Sequence, residues 1–336
     1  MNENYRMKSS VAVELESFIH EYHIKGFKSR GVFETLRMLD NYLCSINHKG
    51  KVISVDVYQK WLESMTGVCN TTLYSRASIG RRFIKYLNEL GYECRIPLLP
   101  RRYGSDFTPY IFTHEEMERI FRACDEYRDP GISYRTPTFM FPTIIRVLYS
   151  TGMRIGEALN IKNRDVDFDQ HVIKLGVTKN NRERLCPINP SLEAVLRQYL
   201  WYRGKLCYEN HDDPDKYFFV GMSGERSKST RIWQRFHNVL VQLDIRDNIN
   251  GGYPRLHDIR HTACVHAMKK LIEKGKDIYC HVGVLSAFLG HVKTKDTENY
   301  IRLTQDMYPE LLKQDAVVTK AIHSVIKRSL IVKEYE

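Results

Sequence analysis

The sequence predicts a mainly α protein with one small β-sheet, divided into two domains. Three observations carry this. Apolar residues recur at helical spacing through most of the 336 residues. Strand-like patterns are few and local, being confined to the middle of the chain. A proline-bearing stretch with little periodicity, inside "RIPLLPRRYGSDFTPYIF", separates a helical first part from a mixed second part.

The first part, residues 1–96, reads as a helical domain. "SSVAVELESFIHEYHI" opens with serines suited to capping and continues with apolar residues at helical spacing. "ETLRMLDNYLCSI" does the same. "SRASIGRRFIKYLNELGY" sets Ile79, Phe83 and Leu87 on one face and keeps Arg81, Arg82 and Lys85 largely off it, with Gly91 as a helix end. This basic face, to which Arg76 also belongs, reads equally as a solvated surface or as a DNA contact.

Residues 97–111 have linker composition. Thr113 and Glu116 then form a capping-box pattern opening "THEEMERIFRACDEY". A helical "FPTIIRVLYSTGMRIGEALNI" leads into "DVDFDQHVIKLGVTKNNRERLCPI", read as short strands joined by a polar, basic hairpin around Lys179 to Arg184. "SLEAVLRQYLWYRGKL" reads as a helix, "YFFV" as a short strand and "TRIWQRFHNVLVQL" as a helix. The second domain is expected over 112–306, followed by an amphipathic C-terminal segment, 307–336, that repeats as Val318, Ile322 and Val325. That segment suits either its own core or a neighbouring copy.

Composition narrows the function classes. Apolar residues make up 43% and charged residues 27%, enough to bury an ordinary core. The formal net charge of +11 points to a polyanionic partner, nucleic acid before membrane surface. The eight cysteines contain no CxxC pair, which argues for reduced, mostly buried thiols and against a zinc ribbon or disulfide framework. No apolar signal segment and no run near membrane-spanning length occurs, so a cytoplasmic, nucleoid-associated protein is expected. GxxxxGK[ST], HExxH and GxSxG are absent, and no GxGxxG follows a strand, so ATP, zinc-protease, elbow-serine and nicotinamide chemistry all lose support.

Basic and polar residues nevertheless stand in suggestive places. Arg154 in "STGMRIGEALNI" sits at a turn-to-helix position with Glu157 three residues on. Alone, such a pair is a surface contact worth under ~1 kcal/mol. In "PRLHDIRHTACVHAM", His257 and His261 have the spacing of a helical metal pair, but no further ligands cluster nearby. His257 and Arg260 instead suit a shared anion, both donating to phosphate oxygens. "FLGHVKTKDTENYIRL" sets Tyr300 nine residues after His291. Among 21 tyrosines it gains meaning only from what surrounds it.

Taken together, Arg154 in "TGMRIGEAL", His257 and Arg260 in "HDIRHT", and "LGH" followed by Tyr300 resemble the boxes of the tyrosine recombinase (phage integrase) family, in the family's order. The resemblance spans roughly Phe112 to Leu303. It implies a SAM-like helical core-binding domain followed by a mixed α/β catalytic domain. It also implies a hairpin lysine between the first arginine and HxxR, and Lys179 matches, although Arg182 and Arg184 leave open which basic residue acts. Two departures are modest: a longer interval between HxxR and LGH, and an extra loop at "DEYRDPGISYRTPTF".

The implied activity is site-specific DNA recombination, as by the integrase or transposase of a mobile element. Tyr300 would attack the scissile phosphate to give a 3′-phosphotyrosine. Arg154 and Arg260 would clamp the phosphate, His257 and His291 would donate further hydrogen bonds, and Lys179 would protonate the leaving 5′-oxygen. Glu157 would buttress Arg154. Such cationic donors answer the chemical need, since a phenol of ordinary pKa ~10 is a poor nucleophile at neutral pH. No cofactor and no metal is implied. The implied partners are double-stranded recombination sites, three further copies forming a homotetramer, and accessory bending or directionality factors; no membrane is implied. DNA contacts are expected from Arg76, Arg81, Arg82 and Arg182. The alternatives are a type IB topoisomerase, a catalytically silent DNA-binding protein, and a metal-dependent nuclease on His257 and His261.

Overall fold

A computed structural model describes residues 5–26, 30–101, 107–128, 139–176, 183–206, 210–221, 224–276, 278–290 and 295–308. The chain divides into two compact units, Met1–Asp106 and Phe107–Glu336.

In the first unit, four helices surround one core: α1 (Ala12–Ile24), α2 (Arg30–Ser45), α3 (Val55–Glu63) and α4 (Asn70–Glu89). Leu15, Leu36, Leu39, Leu43, Trp61, Phe83 and Leu87 are buried at its centre. Burying each such side chain stabilises the fold by roughly 1.5–3 kcal/mol. Gly80 lets α3 and α4 approach closely, because a Cβ there would lie 2.6 Å from the Trp61 ring. The Tyr58 hydroxyl donates to the Ala77 carbonyl at 2.8 Å between the same helices.

The serines ahead of α1 do not cap it. Val11 occupies the cap position without a side-chain bond, and the Ser10 hydroxyl instead lies 3.0 Å from Nδ1 of His48. Residues 5–9 are fixed another way: the buried Asp40 carboxylate accepts the Lys8 and Ser9 N–H groups and the Tyr5 hydroxyl. Sequence periodicity also passes over α3, a nine-residue helix whose start is set by Ser54 accepting from the Val57 N–H at 3.2 Å.

In the second unit, α5 (His114–Glu126) opens with the expected capping box between Thr113 and Glu116. Helix α6 (Met140–Thr151) is apolar nearly all round and forms the centre of the larger core. The helical reading through "STGMRIGEAL" is interrupted: Gly152, at φ +59°, ends α6, and the short α7 (Ile155–Ala158) starts afresh behind Arg154.

A three-stranded antiparallel sheet follows, β1 (Val166–Asp167), β2 (Val172–Leu175) and β3 (Arg184–Pro187), in the order β1-β2-β3. Ile173 opposite Cys186 faces inward, and Lys174 opposite Leu185 faces outward. The expected strand at "YFFV" is absent as a strand; Tyr217 and Val220 make isolated bridges to Lys162 and Arg226. Their rings serve packing instead, Phe218 and Phe219 being buried against Tyr199.

Helices α8 (Pro190–Arg203), α9 (Ser229–Gln242), α10 (Asp258–Glu273), α11 (Ile278–Leu289) and α12 (Lys295–Met307) complete the unit. A second core of Cys264, Val265, Met268, Leu289, Tyr300 and Ile301 joins α10, α11 and α12. The 309–336 part of the expected C-terminal segment lies outside the described residues, as does the extra loop at 129–138.

Candidate active site

Three local features bring the motif residues together. Arg154 is the residue before α7, in extended backbone, so its side chain leaves the chain where a helix begins. Glu157 lies one turn on and takes both the Arg154 N–H (2.9 Å) and the Arg154 guanidinium (2.8 Å). His257 is the residue before α10, and Arg260 and His261 occupy the first turn of that helix. Asp258, fully buried, holds the entrance of α10 by accepting the Arg255 N–H at 2.7 Å and its guanidinium at 2.8 Å.

Arg260 is 2% exposed. It donates to the carbonyl of Gly152 and to that of Leu289, both at 2.7 Å. One guanidinium thereby ties the turn before Arg154 to the end of α11, where "LGH" begins. A second buried arginine, Arg184 on β3, reaches the same place. It donates to the Leu289 carbonyl at 2.6 Å and to Oε2 of Glu157 at 2.9 Å, the oxygen that also accepts the Arg154 N–H. A closed circuit results, running from Arg154 through Glu157, Arg184, the Leu289 carbonyl and Arg260 back to Gly152. Gly290 has no side chain for a direct reason: a Cβ would lie 2.2 Å from the Arg184 guanidinium, and its φ is +66°.

The circuit is strongly cationic. Burial works to raise the Glu157 carboxyl, but the Arg154 N–H and the Arg184 and Arg154 charges outweigh it and hold that carboxyl below its ordinary value. Burial, then the Arg260, Arg255 and Arg154 charges, lower His257. His257 is therefore a neutral imidazole at neutral pH, able to donate through one ring nitrogen and accept through the other.

Tyr300 on α12 is 4% exposed. Its hydroxyl lies 3.0 Å from Nδ1 of His261. Burial and the neighbouring Cys264 push the phenol up, while the Arg260 guanidinium pulls it down. The first effects win, so the docked tyrosine is a protonated phenol. His257 and His261 stack edge to face at 5.0 Å, so His257, His261 and Tyr300 follow one another in contact. Among the described residues no group of three or more histidine, cysteine, aspartate or glutamate side chains could hold a metal. His261 is engaged with Tyr300.

Of the expected site residues, the structure brings together Arg154, Glu157, His257, Arg260 and Tyr300. Lys179, Arg182 and His291 lie outside the described residues. Arg76, Arg81 and Arg82 belong to the other unit, on α4. Arg82 contacts the Tyr22 hydroxyl and lies over its ring, and Arg76 reaches the Met65 sulfur at 3.8 Å.

A sequence model described as the phage integrase family matches residues 111–307. The chain belongs to this family. Among its relatives is y4rB of Sinorhizobium fredii, which bears the name integrase/recombinase; it is 29% identical over 293 residues, covering 86% of this chain and 90% of that protein. A solved structure of the XerH site-specific recombinase bound to a palindromic difH substrate matches with TM-score 0.61 at 16% identity, over 85% of this chain and 79% of that one. A lambda integrase dimer bound to a COC′ core site matches with TM-score 0.62 at 13% identity, over 86% and 94%.

For a phage integrase family member, two residues escaped the reading of the motifs. His261 was visible only as the second half of a metal-like spacing, and nothing in "HDIRHT" says that its ring turns toward Tyr300. Arg184 was visible as one of several basic residues near the hairpin. Its inward direction follows from β3 pairing, which sets Leu185 outward and Arg184 toward Glu157.

Proposed function

We propose that this chain is a site-specific DNA recombinase that cuts and rejoins DNA through a 3′-phosphotyrosine. The observation that carries the reading is the convergence of Arg154, His257, Arg260 and Tyr300, from three separate stretches of sequence, on one cationic circuit. Such a circuit stabilises charge on the non-bridging oxygens of a phosphodiester under attack. Tyr300 is the nucleophile, and it leaves its pocket against His261 to reach the phosphate. Arg154 and Arg260 form the clamp, His257 and His291 donate to it, and Lys179 protonates the departing 5′-oxygen. Glu157 orients Arg154. The tyrosyl linkage conserves the phosphodiester's free energy, so rejoining needs neither ATP nor metal.

In this reading, residues 1–96 and 112–306, joined by the linker 97–111, both bind duplex DNA. Arg76, Arg81, Arg82 and Arg182 meet phosphates. The partner is a pair of double-stranded recombination sites on which four copies assemble, with 307–336 exchanged between copies and accessory bending or directionality factors assisting. The charge of +11 and the DNA-bound state of the XerH and lambda integrase structures support a DNA partner. Among the described residues no helix is long and apolar enough to cross a membrane; the nucleoid is the location this activity calls for.

The test is strand exchange. Two labelled duplexes carrying the element's end sequence are incubated with the protein, and a supercoiled plasmid is incubated in parallel. Recombinant duplexes are the expected product. Plasmid relaxation without exchange identifies a type IB topoisomerase instead.

A further inference from the structure

Arg184 is not among the residues that the recombinase reading places at the phosphate, and it is 93% inaccessible by its side chain, at 7% exposure. Its two terminal nitrogens are both used, one on Glu157 and one on the Leu289 carbonyl, while its Nε has no partner. A buried guanidinium with an unmet donor is costly, so its presence asks for a use of its charge. The neighbourhood supplies the use. Glu157 is 9% exposed; its Oε1 accepts from the Arg154 guanidinium, and its Oε2 accepts from the Arg184 guanidinium and the Arg154 N–H. Arg154 is the most accessible of the three arginines, at 30%, and it is the one open to an incoming phosphate.

A carboxylate shared by two guanidiniums cannot neutralise both. With Arg184 in place, two guanidiniums share one carboxylate, and Arg154 keeps positive charge for the substrate. Without it, Glu157 is left to Arg154 alone as a neutral pair, and Arg260 loses the guanidinium that shares its hold on the Leu289 carbonyl. We propose that Arg184 is a positioning residue of the phosphate clamp: it occupies Glu157 so that the charge of Arg154 stays available to the scissile phosphate. The proposal rests on the recombinase reading.

The experiment follows single-turnover formation of the covalent protein–DNA adduct on nicked suicide duplexes carrying the element's ends. One duplex has an ordinary scissile phosphate, and the other a methylphosphonate, which lacks one non-bridging charge and so needs less cation. Wild-type adduct on the ordinary duplex is the control for the recombinase reading; its absence defeats that reading and leaves nothing for Arg184 to position. Given that adduct, Arg184→Gln is expected to slow its formation on the order of 10- to 100-fold on phosphate and less than about threefold on methylphosphonate. The double variant Arg184→Gln/Glu157→Gln is expected to recover part of the loss, because it removes the competing negative charge while the new amide oxygen can still accept from Arg154. Arg184→Lys, which keeps the charge, is expected to show the wild-type ratio between the two substrates, and it carries the test should Arg184→Gln fail to fold. Equal losses on both substrates, with no recovery in the double variant, overturn the proposal and make Arg184 a packing residue.

Discussion

Nδ1 of His261 lies 3.0 Å from the hydroxyl of Tyr300, and the tyrosine is almost wholly buried. The candidate nucleophile is thus docked in the core formed by α10, α11 and α12. The same contact that fixes the phenol also keeps its proton near a basic nitrogen. Replacing His261 with Phe removes the hydrogen-bonding partner while filling similar space. Losing that bond costs about 1 kcal/mol, so α12 is expected to open more often. Amide exchange over 297–304 should accelerate roughly fivefold; unchanged protection there contradicts the contact's role.

Glu157 predicts an acid-side stability effect. Its folded carboxyl is held below its ordinary value. A group of this kind contributes stability that is fully present above the unfolded carboxylate pKa and is lost as pH falls through the folded one. Wild type is expected to lose melting temperature as pH drops below about 4.5, the ordinary value. Glu157→Gln is expected to be less stable at pH 7 and to show a flatter acid limb. Parallel curves for the two proteins rule this out.

His266 acts in a higher pH window. It is buried, its Nδ1 lies 2.7 Å from the Tyr149 hydroxyl, and its ring stacks on His114 at 3.8 Å. Burial first, then the charges of His114 and Lys269, push it down from 6.5 to about 4. The unfolded chain therefore takes up a proton that the folded one refuses, and stability falls as pH drops from 6.5 toward 4. His266→Phe, measured by thermal melts across that interval, is expected to remove this slope. A slope equal to wild type contradicts it.

Gly290 should tolerate no side chain. Alanine there combines a positive φ with a 2.2 Å approach to a guanidinium already fixed on two partners. The expected loss is about 1–3 kcal/mol. Gly156→Ala is the control, since a Cβ there meets nothing within 4 Å. Equal melting temperatures for the two variants contradict the crowding at Gly290.

Much of this was legible in the sequence because it was periodic or ordered. The α4 and α6 patterns follow from apolar spacing, the Thr113 capping box from two residue types, and the site from the order of its motifs. What escaped depended on partners distant in sequence. The helix start at Val11 and the fate of Ser10 depend on His48, 38 residues away. The break at Gly152 is a left-handed turn at a single glycine, to whose carbonyl Arg260 donates across 108 residues. The missing strand at "YFFV" was misread because a run of β-favouring aromatics packs equally well as a core ladder beneath α8. Arg184 and His261 needed the direction of a side chain, which composition and spacing do not carry.

The account stands or falls on Tyr300. Wild type and Tyr300→Phe, each with EDTA present, are incubated with nicked suicide DNA carrying the element's ends and resolved on a denaturing gel. A covalent protein–DNA adduct with wild type alone is the predicted result. An adduct that persists in Tyr300→Phe, or none from wild type on DNA that it demonstrably binds, contradicts it.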